Sequence, residues 1–176
     1  ATFDEWTLIW NLGWVQDPVI GERASLPYAT ASAVWQPRDD LKLSRPHAFV
    51  DRRAIRFQDV DAAGIIFYPR VLAMFHDVYV AFLAFAGAPL PEVLTSKSWL
   101  APVRHAEADY FKPLRFGDEV TVEICRAHLV ETEATLGYRI ARAEGGEVCA
   151  VGQVVHTFVE VTFKRKGGNK QQTIRY

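Results

Sequence analysis

An α+β fold, one long helix wrapped by a curved antiparallel sheet, is predicted by three observations. From Pro69 to about Ala86, apolar residues recur at helical spacing (Leu72, Phe75, Val78 and Tyr79, Phe82, Phe85 and Ala86), with Val71, Met74, Val80 and Leu83 between them. After Gly87 the apolar period changes to two: Val120, Val122 and Ile124 alternate with Thr121, Glu123 and Cys125. The links between the later runs, Glu131-Thr132 and Gly145-Gly146 among them, are short enough to demand antiparallel neighbours.

Taken in order, residues 1–46 read as an N-terminal extension. Trp6, Trp10 and Trp14 recur every fourth residue around Leu8, Ile9 and Leu12, which suits a short apolar helix; Pro18, Pro27, Pro37 and Pro46 then forbid a long one. The extension is expected to pack on the main domain or a partner subunit, the alternative being a docking element for another protein. Ala48–Asp59 reads as a strand, Asp61-Ala62-Ala63-Gly64 as a turn, and Pro69 as a first helical residue, where its missing N–H is no loss. A helix apolar on nearly all faces is expected to be buried on nearly all faces. Arg70, His76, Asp77 and Tyr79 are its polar exceptions. Gly87 stops it, and Pro89 and Pro91 open a loop.

Further strands are expected at Leu100–Phe111, Glu119–Val130, Glu133–Ala143 and Val148–Phe163, giving five or so within a domain of residues 47–163. Residues 164–176 form a basic tail, with Lys164, Arg165, Lys166, Lys170 and Arg175 and no acid, expected to be mobile and able to attract phosphate. One sheet of that size leaves part of the helix uncovered. Burial against a second copy is therefore expected, as a homodimer or homotetramer.

With 176 residues, 49% of them hydrophobic, the chain has enough material for one domain with its own core. A net charge of -1 gives no global attraction to nucleic acid. Cys125 and Cys149 lack the spacing of a zinc site and read as buried, reduced thiols of a cytoplasmic protein. The longest uncharged apolar stretch, Val78 to Pro91, is interrupted by Gly87 and Pro89 and falls short of the roughly 18 residues of a membrane span. No basic-then-apolar leader opens the chain. Nucleophile-elbow, phosphate-loop, dinucleotide and H-E-x-x-H motifs are missing, and His105-Ala106-Glu107 is followed by no P-C-x-x-C. His47, His105, His128 and His156 are scattered singly. No metal and no cofactor are implied.

The chemistry concentrates in Phe57-Gln58-Asp59-Val60-Asp61-Ala62-Ala63-Gly64-Ile65-Ile66-Phe67-Tyr68-Pro69. This run places carboxylates between a strand and the start of a buried helix, where unpaired N–H groups carry partial positive charge. Such donors can hold a developing oxyanion. A carboxylate beside them can attack an acyl carbon or activate water. Pattern alone favours an aspartate that merely caps a tight turn.

The segment resembles the signature F-x-D-x-D-x-x-G-x-x-x-[FYH] of the 4-hydroxybenzoyl-CoA thioesterase branch of the hot-dog fold, with Phe57, Asp59, Asp61, Gly64 and Tyr68 matching. Pro102-Val103, Ala106, Asp109-Tyr110-Phe111, Pro113-Leu114 and Phe116-Gly117-Asp118 resemble the family's next strands, so the likeness runs from about His47 to Phe163. It implies that Asp61 is the catalytic carboxylate, nucleophile or general base. It further implies that the N–H of Tyr68 polarises the thioester carbonyl and that Gly64 permits the turn. Asp59 is the competing carboxylate.

Where 4-hydroxybenzoyl members carry an acid for the substrate's para-hydroxyl, this chain has His76. The run Phe75-His76-Asp77-Val78-Tyr79 is more similar to the cyanobacterial 1,4-dihydroxy-2-naphthoyl-CoA thioesterases. That likeness implies an aromatic acyl-CoA substrate, an intermediate of quinone biosynthesis, with His76 meeting a phenolic hydroxyl in a pocket lined by Phe75, Tyr79 and Phe82. Arg104, Lys112 and Arg115 are candidates for the CoA phosphates. The alternatives are a medium-chain or polyketide acyl thioesterase and a non-catalytic acyl-CoA-binding protein.

Overall fold

The computed structural model describes residues 39–42, 49–96, 99–166 and 169–175. The expected tryptophan helix, Pro18, Pro27, Pro37, Pro46 and His47 lie outside them. The elements are β1 (Phe49–Ala54), α1 (Pro69–Phe85), α2 (Leu90–Ser96), β2 (Trp99–Leu100), β3 (Val103–Tyr110), β4 (Glu119–Leu129), β5 (Glu133–Arg142), β6 (Val148–Thr157), β7 (Val159–Lys166) and β8 (Asn169–Arg175). Five strands form one antiparallel sheet in the order β1-β4-β5-β6-β3, and β2-β7-β8 form a second. The α+β architecture is the expected one.

The alternation in β4 sets the core. Val120, Val122 and Ile124 point inward and meet Val71, Phe75, Val78 and Phe82 of α1, all buried. Each such side chain removed from water contributes roughly 1.5–3 kcal/mol. Phe75 lies flat on Tyr138 of β5, ring centres 4.6 Å apart. Gly152 of β6 makes room for it, since a Cβ there would run into the Phe75 ring and the Glu107 carbonyl.

The outer face of the sheet is covered too. A short 3-10 turn, Asp39–Lys42, lays Leu41 (1% exposed) over Cys125 and Val151. Gly137 accommodates it, a Cβ at that position standing 2.6 Å from Leu41 Cδ2. Arg139 donates to the Lys42 carbonyl at 3.1 Å and pairs with buried Glu123 at 2.7 Å. Glu123 and Cys125, on the side of β4 that alternation marks as polar, are buried for this reason.

Several boundaries differ from the expected ones. β1 ends at Ala54, and Phe57–Asp59 forms a 3-10 turn, because the Asp59 carboxylate draws back the Arg56 N–H at 2.9 Å. Pro102 has no donor for a ladder, and β2 and β3 are separate strands on either side of it. Instead of a loop, Pro89 and Pro91 introduce α2: the Pro89 carbonyl accepts from Glu92 and Val93, and prolines are tolerated in a first helical turn. The last expected strand divides at Phe158, whose N–H turns to the Thr132 carbonyl at 2.8 Å. The tail, expected to be mobile, pairs as β8 with β7 from Glu160↔Arg175 to Lys166↔Asn169.

α1 is buried on one side only. Val71, Met74, Phe75, Val78, Tyr79, Phe82 and Leu83 face the sheet, whereas His76, Asp77, Ala81, Ala84 and Phe85 are exposed. Burial on nearly all faces is not reached within one chain, because a single sheet covers only one side of a cylinder.

Two buried titratable groups shape the fold's response to acid. Asp59 is 1% exposed; Arg70 donates to it at 2.6 and 2.8 Å, and the Arg56 guanidinium at 3.2 Å. Burial alone would raise this carboxyl, but the hydrogen bonds from Arg56 and Arg70 outweigh it and hold the group below its ordinary range. His156, also 1% exposed, stacks on Tyr79 at 4.2 Å and donates from Nδ1 to the Ala101 carbonyl at 2.9 Å. A carbonyl cannot donate, so Nδ1 carries the proton and Nε2 is a bare acceptor, with no partner among the described residues. Burial pushes the imidazole's basicity down, and nearby His76 adds to that.

Two outcomes follow from this packing. Gly152→Ala should cost about 1–3 kcal/mol in urea denaturation. Gly137→Ala should cost less, because the obstacle there is the swinging tip of Leu41 rather than a ring and a backbone carbonyl. Thermal melting against pH should fall in two steps. Folded His156 binds a proton less readily than unfolded, so its contribution is whole above about pH 6.5 and fades as pH drops below that. The Asp59 contribution is whole above about pH 3.9 and is lost as pH falls through its depressed folded value. His156→Gln should remove the upper step; an unchanged upper step in that variant would assign it to another group.

Candidate active site

The segment between β1 and α1 folds as a small hairpin. The Asp61 N–H donates to Ile65 O at 2.9 Å and the Phe67 N–H to Asp59 O at 2.8 Å. The turn closes with the Gly64 N–H on Asp61 O at 2.9 Å, and Gly64 has φ +73°, a left-handed conformation that a side chain would strain. Ile66 N–H on Leu114 O, at 2.8 Å, fastens the hairpin to the strand approach of β4. Asp59 ties its base to α1 through Arg70.

Within this frame the two candidate carboxylates separate clearly. Asp59 is enclosed and fully engaged. Asp61 is exposed; its Oδ1 accepts the Ala63 N–H at 2.8 Å, and Oδ2 has no partner among the described residues. Tyr68 caps α1, with Pro69 as the first helical residue. Arg70 N–H returns to Phe67 O at 2.8 Å and Val71 N–H to Tyr68 O at 3.3 Å. The Tyr68 N–H itself donates to nothing among the described residues, and it stands at the positive end of a 17-residue helix. One short segment therefore carries Asp61, Gly64 and a Tyr68 N–H that has no acceptor among the described residues.

The expected pocket residues divide. His76 is exposed on α1, its ring 6.2 Å from that of Tyr79, and the neighbouring Asp77 is taken by Arg53 at 2.8 Å. Phe75 is 0% exposed and Tyr79 4%, sealed beneath the helix against Tyr138 and His156. In a single chain neither offers a surface to a ligand: the side of α1 that carries them is the side the sheet covers. Phe82 is buried likewise. Of the suggested phosphate contacts, Arg104 pairs with Glu133 at 2.7 Å and Lys112 with Glu147 at 3.5 Å. The exposed Arg115 side chain makes no hydrogen bond or ion pair among the described residues.

Two residues near the site escaped sequence reasoning. Tyr110, at the end of β3, donates its hydroxyl to Tyr68 O at 2.8 Å. His156 supports Tyr79 from below. The run Asp109-Tyr110-Phe111 carried a signal of family likeness but none of contact, which arises only when β3 folds back alongside the start of α1. Among the described residues no group of His, Cys, Asp and Glu is placed to hold a metal ion, and no helix is long and apolar enough to cross a membrane.

The chain is similar to known proteins in sequence and in fold. A 1,4-dihydroxy-2-naphthoyl-CoA hydrolase from Trichodesmium erythraeum is 33% identical over 100 residues, covering 57% of this chain and 72% of that protein. A 1,4-dihydroxy-2-naphthoyl-CoA thioesterase from Synechocystis superposes with a TM-score of 0.61 at 24% identity, over 64% of this chain and 82% of that one. A gentisyl-coenzyme A thioesterase superposes with a TM-score of 0.56 at 27% identity, over 63% of this chain and 88% of that one. The sequence profile of the thioesterase-like superfamily matches residues 55–167, which begin just before the hairpin and run to the end of β7. With the hairpin, α1 and strands β2 to β7 inside that match, the chain belongs to the thioesterase-like superfamily and has its hot-dog fold.

Proposed function

We propose that the chain hydrolyses the thioester of an aromatic acyl-CoA, with 1,4-dihydroxy-2-naphthoyl-CoA as the best-fitting substrate. One observation carries the reading: one segment holds a carboxylate oxygen and a helix-capping N–H that both lack partners among the described residues. The names of the relatives support the acyl group, since they act on hydroxylated aryl thioesters.

In this reading the thioester carbonyl oxygen accepts from the Tyr68 N–H, so the negative charge that grows there meets a fixed donor and the helix dipole. Asp61 Oδ2 then takes one of two courses. It attacks the carbonyl carbon, expelling the CoA thiolate and leaving a mixed anhydride that water cleaves. Alternatively it removes a proton from a water whose oxygen attacks the same carbon, and the proton passes to the departing sulfur. Either course releases the aryl carboxylate and CoA thiol. His76, exposed on α1, hydrogen-bonds the phenolic hydroxyl, while Tyr79, its ring 6.2 Å away, supports it from within the core. Arg115, free of ion pairs among the described residues, serves the CoA phosphates better than Arg104 or Lys112.

An exposed carboxylate in bulk water gains little from these dipoles, because the high dielectric weakens them. A second copy supplies the missing wall. The open side of α1 and the outer edge of β3, which pairs only with β6 among the described residues, are the surfaces it would take, making the active form at least a homodimer.

A thiol-release assay over aryl- and alkyl-CoAs tests the reading. Wild type should prefer hydroxylated aryl-CoAs, and Asp61→Asn should lose about 10²–10⁴-fold in kcat while melting normally. His76→Ala should narrow the preference for hydroxylated over unhydroxylated aryl-CoAs more than it slows hydrolysis. Preference for alkyl-CoAs, or full turnover in Asp61→Asn, contradicts the proposal.

A further inference from the structure

Of the groups around the helix start, Tyr110 makes a contact with no evident use in folding. It is 45% exposed, so little stability rides on its burial, yet its hydroxyl reaches from the end of β3 to the Tyr68 carbonyl oxygen at 2.8 Å. That oxygen belongs to the N-cap of α1, and the Val71 N–H stands 3.3 Å from it. On the other side of Tyr68, the Phe67 carbonyl is fixed by the Arg70 N–H at 2.8 Å. The Tyr68 N–H shares a peptide plane with the Phe67 carbonyl, and the Tyr110 contact restrains the next plane along; with that contact removed, Tyr68 is held on one side only.

We propose that Tyr110 is a positioning residue whose hydroxyl, by holding the Tyr68 carbonyl, keeps the Tyr68 N–H aimed at the thioester oxygen. The inference rests on the proposed thioesterase reading and deepens it, since it makes the oxyanion donor depend on a strand far along the chain. β3 is a sound support, for Tyr110 itself is paired across to Ala150 of β6. Partial burial pushes the Tyr110 phenol up, with Tyr68 adding to the shift, so it remains a protonated donor at neutral pH.

Tyr110→Phe removes the one oxygen and keeps the ring. With an aryl-CoA substrate, kcat should fall about 10- to 100-fold, as expected for a misaimed group. KM should stay within about twofold of wild type and the melting temperature should not move. Backbone relaxation by nuclear magnetic resonance should show a lower order parameter at the Tyr68 amide in the variant. Unchanged kcat, or kcat, KM and melting temperature shifting together, would overturn the assignment. If wild type hydrolyses no aryl-CoA, the activity reading fails by itself, and the Tyr68 order parameter still decides: equal values in both proteins reject the positioning role.

Discussion

The structure turns on one enclosed carboxylate. Asp59 sits where strand, hairpin and helix meet, and its two oxygens are filled by the backbone and guanidinium of Arg56 and by the guanidinium of Arg70. A buried carboxylate is tolerated only when paired and hydrogen-bonded in this way, and stripping away one partner of such a cluster typically costs about 3–5 kcal/mol. The arrangement fixes how the hairpin leans on α1. Asp61, two residues further on, and Tyr68, at the helix start, inherit their relative positions from it. The two aspartates of the segment thus differ: one is consumed in holding the geometry, and the other has an oxygen with no partner among the described residues.

A second constraint comes from coverage. The sheet is protected on both faces, by α1 inside and by Leu41 with its neighbours outside, but α1 has a sheet on one side only. Its other side presents His76, Asp77, Ala81, Ala84 and Phe85 to solvent. The surface left open by the fold therefore includes two of the candidate site residues, Asp61 and His76.

Periodicity made the helix, its sheet and the antiparallel order legible, because Val120, Val122 and Ile124 obey a rule that depends on one face alone. It could not reveal that Glu123 and Cys125 are buried as well. Their cover, Leu41, lies far away in sequence and works through the missing side chain of Gly137. The prolines around α2 misled for a local reason: Pro89 and Pro91 break a helix in its middle and begin one at its start, and only the following residues tell which. In the site, the spacing of Asp61, Gly64 and Tyr68 was readable because the hairpin is local. Phe75 and Tyr79 were not, since helical spacing gives a face but not which face the sheet takes. Tyr110 and His156 depend on β3 and β6 returning beneath the helix, which no local pattern encodes.

The most direct measurement is a crystal structure with a non-hydrolysable ketone analogue of the aryl-CoA, in which a methylene group separates the carbonyl from sulfur. The account predicts the ketone oxygen about 3 Å from the Tyr68 nitrogen, the Asp61 carboxylate facing the carbonyl carbon, and the aryl ring reaching His76. An analogue bound elsewhere, or bound with Asp61 still turned to solvent, would contradict it.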